Sequence, residues 1–269
     1  MSQQHSEQPS IEFIGCSNNL TRILFSAIKQ VSSTQSSKEI WEHIQSGDIE
    51  DRLIQKEIER LNLSRKSQLS TSHFVFVIKN ISFSSISYLE KKKAGLESTI
   101  IASDLLLSAD KHLSYCIPDD VLENDELNIK WQKLHRAMIN LYKDCLMNGV
   151  EEKDAKLALS SGCTSRRQLS FSFCELAEFL SSSMCHNAVE EIKSISWQIY
   201  DFMKEEFPTL AKRLGIKCWE NKELFCNENR LVYQNCPYSK ERPHQDSFSR
   251  VFHQSVEPQP IVNTPFSVS

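Results

Sequence analysis

The segment FVFVIKNI at residues 74–81 decides the fold class of this chain. It is rich in aromatic and β-branched residues, which pack well on a pleated sheet, and it therefore predicts a well-defined β-strand. Two weaker segments predict further strands. Residues 11–14 alternate between apolar and polar side chains and are followed by Gly15, and residues 167–171 lie just before a predicted helix start.

Helical periodicity accounts for most of the remaining chain. Apolar residues recur at helical spacing in the segments 19–31, 38–44, 49–61, 125–148, 151–159, 173–180 and 188–206. Ser172 and Glu175 have the spacing of a capping box at one helix start, and Pro208 is expected to stop the last helix. The residues predicted to face inward on helix 125–148 are Leu127, Trp131, Leu134, Met138, Leu141 and Cys145.

Strands and helices together predict a helix-rich α+β domain over residues 11–226. Residues 1–10 are polar and are predicted to form a disordered lead. Beyond residue 227 the periodic pattern dissolves, and five of the eight prolines lie between residues 237 and 265. We therefore predict that residues 227–269 form a largely disordered tail.

Composition excludes several classes of protein. The net charge of −4 argues against a dedicated nucleic-acid binder. The longest unbroken apolar run is residues 74–78, far short of the roughly 20 residues that a membrane-spanning helix needs. The first ten residues lack the apolar stretch of a secretory signal. We therefore expect a cytoplasmic protein that binds neither nucleic acid nor a membrane.

The nine cysteines are spread along the chain, and no two lie at the close spacing of a structural zinc site. The sequence therefore predicts no metal centre. Small buried thiols in a reducing compartment are the favoured interpretation. Disulfide bonds or a redox role remain the alternative.

Several motifs occur together in a recognisable order. The strand FVFVI at 74–78 is followed by NIS at 80–82, and the later motifs are GV at 149–150 with AKLAL at 155–159, EL at 175–176 with Phe179, and Ala188 with EI at 191–192. Near the start, AIK at 27–29 completes the series. Over about residues 11–210 this order resembles the flavin-dependent thymidylate synthases, the ThyX family.

The resemblance implies a ThyX-like fold with a central, mainly antiparallel sheet. The enzymes of this family convert dUMP to dTMP in nucleotide biosynthesis, using FAD, a reduced nicotinamide cofactor and methylenetetrahydrofolate. They are homotetramers with active sites between subunits. The resemblance therefore also implies a homo-oligomer, most naturally a tetramer, or a hetero-oligomer with an active relative.

The family's catalytic signature is replaced in this chain. In register, its R-H-R becomes Lys91-Lys92-Lys93, and other signature or contact positions become Leu96, Ser98, Thr99, Ile101, Ser103, Ser172, Cys174, Ser183, Asn187 and Val189. His73 lies two residues too close to the strand to take the role of the family's histidine. Lysine cannot reproduce the planar, bidentate donors of arginine. We therefore assign no catalytic residue and expect FAD to bind weakly or not at all.

Three groups of residues remain as candidate contacts. Lys91, Lys92 and Lys93 are candidates for binding a nucleotide or flavin phosphate, against the alternative of a solvated surface. Arg166-Arg167 offers a second anion contact or a pair facing water. His186-Asn187 offers a polar contact to a flavin or a surface or capping role.

Two classes of function follow. The first is a catalytically degenerate family member that acts as a scaffold or regulatory paralogue. The alternative is an enzyme, either a divergent FAD-dependent thymidylate synthase or a related flavoprotein.

Overall fold

The computed structural model describes residues 8–47, 49–59, 72–91, 114–219 and 225–247. The chain divides into two compact units, Met1–Ile216 and Lys217–Ser269. The sequence predicts a domain boundary between residues 226 and 227, so the first unit ends before the predicted position.

A three-stranded antiparallel sheet lies at the centre of the first unit, as predicted. Its strands are β1 (Ser10–Cys16), β2 (His73–Ser82) and β3 (Thr164–Ser172), in the order β1-β2-β3. In this register Phe76 of β2 is opposite Phe13 on one side and Leu169 on the other. Each strand extends beyond its predicted ends because pairing with a neighbour continues past the segment with strong strand propensity.

Helices make up most of the rest of the described chain and confirm the helix-rich α+β class. In the described part of the chain they are α1 (Leu20–Ser32), α2 (Ser37–Gln45), α3 (Asp51–Glu59), α4 (Phe83–Lys91), α5 (Asp119–Leu122), α6 (Asp125–Met147), α7 (Glu152–Ala155), α8 (Phe173–Ser183), α9 (Glu190–Glu206), α10 (Pro208–Ala211) and α11 (Arg230–Asn235), with a 3₁₀ turn at Lys156–Ala158. The capping box of Ser172 and Glu175 is present at the start of α8. None of these helices is long and apolar enough to cross a bilayer.

An aromatic cluster joins the sheet to α9. Phe76 is fully buried and lies 5.5 Å from the ring of Phe13 and 5.8 Å from that of Phe202 on α9. Phe207, just beyond α9, packs edge-on against Phe74 at 5.5 Å. These contacts bury one face of β2 completely, since Phe74, Phe76 and Ile78 all have zero exposure.

Pro208 has a role in addition to the predicted one. The sequence predicts that it stops the preceding helix, and α9 ends at Glu206; Pro208 is also the first residue of α10. Proline is favoured at the first helical position because its missing N–H has no partner there and its φ angle suits a helix. Phe207 therefore separates two helices.

The inward face of α6 agrees with the prediction only in part. Of the predicted inward residues, Trp131 and Cys145 pack on a core cluster formed by Tyr115, Ile117, Ile139, Tyr142 and Ala155, whereas Leu127, Leu134 and Leu141 are 48%, 54% and 53% exposed. The buried residues of the helix are His135, Ile139 and Tyr142. Apolar residues occur on more than one side of this helix, so periodicity alone does not locate the centre of the buried face.

The second unit contains ordered structure within the segment for which the sequence predicts a tail. Helix α11 begins after Asn229, whose side chain accepts a hydrogen bond from the backbone N–H of Val232 at 2.9 Å. His244 is buried, and one ring nitrogen lies 2.7 Å from the carbonyl oxygen of Glu228. Local capping and a buried polar contact therefore organise residues 225–247 without a long apolar pattern.

We predict that replacing Phe76 with alanine lowers the free energy of unfolding by about 3–5 kcal/mol, because a fully buried ring at the centre of the sheet leaves a cavity. Chemical denaturation followed by circular dichroism measures the change. Ile14→Ala is the control, since Ile14 belongs to the same sheet but is 55% exposed, and it should cost less than about 0.5 kcal/mol. Equal effects of the two substitutions would contradict the assignment of β2 as the core strand.

Candidate functional site

The candidate site begins at a bend near the end of β2. Asn80 has a left-handed backbone conformation with φ of 59°, and the pairing of β2 with β3 shifts register between Ile78 and Ile81. Asparagine tolerates this conformation better than most residues. After the bend, the hydroxyl of Ser82 accepts a hydrogen bond from the backbone N–H of Ser85 at 3.1 Å and so caps the start of α4.

The carboxylate of Glu191, in the first turn of α9, lies against this bend. One oxygen accepts the backbone N–H of Ser82 at 3.2 Å, and the other accepts the hydroxyl groups of Ser82 and Ser85, the latter at 2.5 Å. Both serines are buried, with 4% and 2% exposure. Charge-assisted hydrogen bonds of this kind are stronger than neutral ones, so Glu191 ties α9 to the junction of β2 and α4.

The thiol of Cys116 completes this cluster. Burial, followed by the charge of Glu191 and a hydrogen bond to its side chain, raises the pKa of Cys116 to about 12. Cys116 is therefore a protonated donor at neutral pH and not a nucleophilic thiolate. We call Ser82, Ser85, Cys116 and Glu191 the Glu191 cluster.

Aromatic stacking fixes the segment that carries Cys116. The ring of His135 lies between Tyr115 and Trp131, with centroid distances of 4.7 Å and 4.9 Å. Its Nδ1 is 3.0 Å from the carbonyl oxygen of Trp131, and the indole N–H of Trp131 donates to the carbonyl oxygen of Cys116 at 3.1 Å. A side chain at Gly162 would come within 3.1 Å of Nε2 of His135, so this position requires glycine or a shift of the imidazole.

The Glu191 cluster also joins the end of β2 to the segment around Cys116, which lies later in the chain. Ser82 and Ser85 precede residues 92–113 in the chain, and Cys116 follows them. A single carboxylate thus holds the segment before this stretch and the segment after it. Because the hydrogen bonds of this carboxylate are made within the protein, Glu191 organises the backbone at this junction.

Of the three lysines that are predicted to contact a phosphate, only Lys91 belongs to the described residues. Lys91 is the last residue of α4, and Lys92 and Lys93 lie outside the described residues, as do Leu96, Ser98, Thr99, Ile101 and Ser103. The preceding residue, Glu90, accepts a hydrogen bond from Nη2 of Arg167 at 2.9 Å. The structure therefore places Arg167 beside the end of α4, where the lysine run starts.

Arg167 is more deeply buried than we expect for a side chain that binds an anion from solvent. Its side chain is only 11% exposed, and its Nη1 atom is buried without a hydrogen-bond partner within the ranges that the structure describes. Arg166 is exposed on the same strand. It helps to lower the pKa of Glu12, for which Lys79 is the main cause.

The other predicted contacts lie on the surface or in secondary structure. His186 and Asn187 are exposed in the turn between α8 and α9, a few residues before Glu191. Ser172 caps α8, and Cys174 and Ser183 are buried in that helix. Across the residues with described positions, no group of three or more histidine, cysteine, aspartate or glutamate residues is placed to hold a metal ion.

Sequence reasoning did not select Glu191 or Cys116 as site residues. Glu191 was matched only as a packing position, although a glutamate in the first turn of a helix is favoured by the helix dipole. The local feature that could have indicated this site is the pair Ser82 and Ser85, since the two residues share one face at the start of a helix. No local pattern indicates Cys116, because its contact with Glu191 joins distant parts of the chain.

Comparison with known proteins identifies the relatives of this chain. A family model described as thymidylate synthase complementing protein matches residues 15–209. The flavin-dependent thymidylate synthase of Pyrococcus abyssi is 28% identical over 127 residues, which cover 46% of this chain and 51% of that protein. The enzyme of the same name from Pyrococcus furiosus is 24% identical over 205 residues, or 74% and 82% of the two chains. The first match therefore spans about half the length of its relative.

A solved structure supports the fold independently. The UMP/dUMP methylase PolB from Streptomyces cacaoi, bound with 5-Br dUMP, superimposes with a TM-score of 0.58 at 12% sequence identity. The match covers 76% of this chain and 93% of that one. At this identity the likeness concerns the fold alone.

We predict that Glu191→Gln lowers the pKa of Cys116 below about 12 while leaving it above its ordinary value of 9.0, because burial is the larger cause and remains. The measurement is the pH dependence of alkylation of Cys116, followed by mass spectrometry. Glu190→Gln is the control, since the neighbouring Glu190 pairs with Lys193 and not with the cluster.

The raised pKa of Cys116 also makes the free energy of unfolding depend on pH. The thiol of Cys116 ionises at lower pH in the unfolded chain than in the folded one, so its contribution is complete below pH 9 and is lost as the pH rises toward about 12. An unchanged alkylation profile in Glu191→Gln would contradict the contact between Glu191 and Cys116.

Proposed function

We infer the function from one premise: the chain belongs to the thymidylate synthase complementing protein family, that of the flavin-dependent thymidylate synthases. We propose that it is a catalytically degenerate member that retains the fold without synthesising dTMP. Its role is then that of a scaffold or regulatory paralogue in nucleotide biosynthesis.

One observation carries this proposal: Lys91-Lys92-Lys93 stands where the family signature has R-H-R. Arginine binds a phosphate or a carbonyl group through a rigid fork of donors, whereas lysine is a point charge on a flexible stem. Loss of a single stabilising donor from an active site commonly costs about 10²–10³ in rate. Several such positions are replaced together in this chain, so a large loss of activity is expected.

The Glu191 cluster supports the same conclusion. Its carboxylate receives donors from Ser82, Ser85 and Cys116, and the thiol is protonated at neutral pH. The carboxylate is engaged by donors of the protein itself, and a protonated thiol is a poor nucleophile. These residues organise the fold where a reactive group would be needed.

We propose that FAD binds weakly or not at all. Its two phosphates require accessible cationic or N–H donors, but the hydroxyl groups of Ser82 and Ser85 already donate to Glu191, and Nη2 of Arg167 donates to Glu90. The remaining candidate donors for a nucleotide or flavin phosphate are Lys91, Lys92 and Lys93, the exposed Arg166, and Nη1 of Arg167, which has no partner among the described residues. No step of a flavin reaction is assigned to this chain.

An alternative function is a divergent FAD-dependent thymidylate synthase or a related flavoprotein that converts dUMP to dTMP. The names of the relatives favour it, since the matched archaeal proteins are called flavin-dependent thymidylate synthases and the structural neighbour is a UMP/dUMP methylase. In this case the lysine run holds the phosphate of dUMP or of the flavin, and the other reactive groups come from another subunit.

We further propose that the protein acts in the cytoplasm as an assembly. A homo-oligomer, most naturally a tetramer, or a hetero-oligomer with an active relative is consistent with a scaffold role. Exposed large apolar residues support association, notably Met147 at 77% and Leu157 at 85% exposure. Clusters of such residues on a surface mark interaction sites more often than a lone exposed residue does.

We predict that the purified protein lacks the visible absorbance of bound flavin, with or without added FAD, and releases no tritium from dUMP labelled at C5. The missing arginine donors are the physical reason. A Pyrococcus furiosus flavin-dependent thymidylate synthase assayed in parallel is the positive control. Stoichiometric bound flavin with turnover that Lys91→Ala and Lys93→Ala abolish would overturn the degenerate assignment and establish the enzyme.

A further inference from the structure

Three leucines on α6 form an exposed apolar stripe on one side of the helix. Leu127, Leu134 and Leu141 are 48%, 54% and 53% exposed. They are separated by seven residues each, or about 10 Å along the helix axis. We call these three residues the leucine stripe.

The leucine stripe is one half of a longer pattern. Trp131, Met138 and Cys145 follow its members four residues later and are half-buried, and Trp131 and Cys145 pack on the cluster beneath α6. The alternating spacing of four and three residues over residues 127–145 is that of a coiled-coil seam. One line of this seam thus contacts the chain's own core, while the other line faces outward.

We propose that the leucine stripe pairs with the same stripe of a second copy of this chain, with the two α6 helices antiparallel about a two-fold axis near Ala137. This arrangement places Leu134 of each copy against Leu141 of the other. Ala137, which is exposed at the axis, lets the helices approach closely because its side chain is small. An interface of this kind is self-complementary, as a two-fold dimer requires.

The charged residues beside the leucine stripe favour antiparallel over parallel pairing of the two α6 helices. Lys130 and Asp144 are exposed and flank the stripe on the same side, seven residues on either side of Ala137. Antiparallel pairing about Ala137 brings Lys130 of each copy opposite Asp144 of the other, and this makes two symmetric ion pairs. Parallel pairing in register would instead place Lys130 beside Lys130 and Asp144 beside Asp144, which is unfavourable.

Two further features agree with this pairing. Within its own helix Lys130 pairs with Glu126 at 2.5 Å, but this exposed contact contributes little and leaves the ammonium group able to donate to a second carboxylate. The dipoles of antiparallel helices also oppose each other favourably. The inference deepens the self-association part of the proposed function and rests on it, but it does not depend on whether the chain is active.

The first test removes the apolar contact. We expect light scattering of the wild-type protein to give a mass of two chains or a multiple of two, and Leu134→Glu to weaken the α6 contact by about tenfold or more. Leu53→Glu on α3 is the matched control, since Leu53 is similarly exposed at 45% but lies outside the stripe, and it should leave the mass unchanged. Circular dichroism verifies that both variants are folded.

The second test addresses the antiparallel direction. Asp144→Lys places two lysines opposite each other on both sides of the axis, and we expect it to weaken the dimer. The double variant Lys130→Asp with Asp144→Lys exchanges the charges and should restore the dimer. A parallel or unrelated contact would show neither this specific loss nor its recovery.

The possible outcomes distinguish failure of the α6 interface from failure of the proposed self-association. A wild-type oligomer that Leu134→Glu leaves intact would overturn the α6 interface but not the proposed self-association. A wild-type protein that is monomeric over a wide range of concentrations would overturn both. Association with an active relative through α6, in place of a second copy, would overturn the self-pairing as well.

Discussion

The structure depends on the burial of strand β2. This strand forms hydrogen bonds with a neighbour along both edges, and Phe74, Phe76 and Ile78 have no exposed surface. Its apolar face meets aromatic rings from α9 and from the segment after it. Because each buried ring removes a large apolar area from water, this contact determines where the long helix lies against the sheet. The other elements of the first unit are placed relative to this pair.

The Glu191 cluster extends that arrangement to the end of the sheet. The bend at Asn80 turns β2 into α4, and the carboxylate of Glu191 stabilises the turn by accepting hydrogen bonds from Ser82 and Ser85. A buried hydroxyl group without a partner is costly, so the carboxylate and the serines satisfy each other. The proposed loss of reactive residues is compatible with this arrangement, because the contacts among Ser82, Ser85 and Glu191 do not involve the lysine run at 91–93.

Two faces of α6 have different surroundings. One side buries His135, Ile139 and Tyr142, while another presents a regular stripe of leucines. Apolar side chains in contact with water have no benefit for a lone chain. They stabilise an assembly if a second surface covers them.

Sequence alone determined the strand at 74–81, the fold class, the order of the helices and the capping box at Ser172. These features depend on neighbouring residues, since propensity, periodicity and capping act within a few positions. Family membership was also readable, because the matched motifs keep their order over residues 15–209. The tertiary structure alone decided which face of α6 is buried and that Glu191 holds Ser82, Ser85 and Cys116. Periodicity cannot choose between two apolar faces of one helix, and contacts between residues 82, 116 and 191 exist only when the chain has folded.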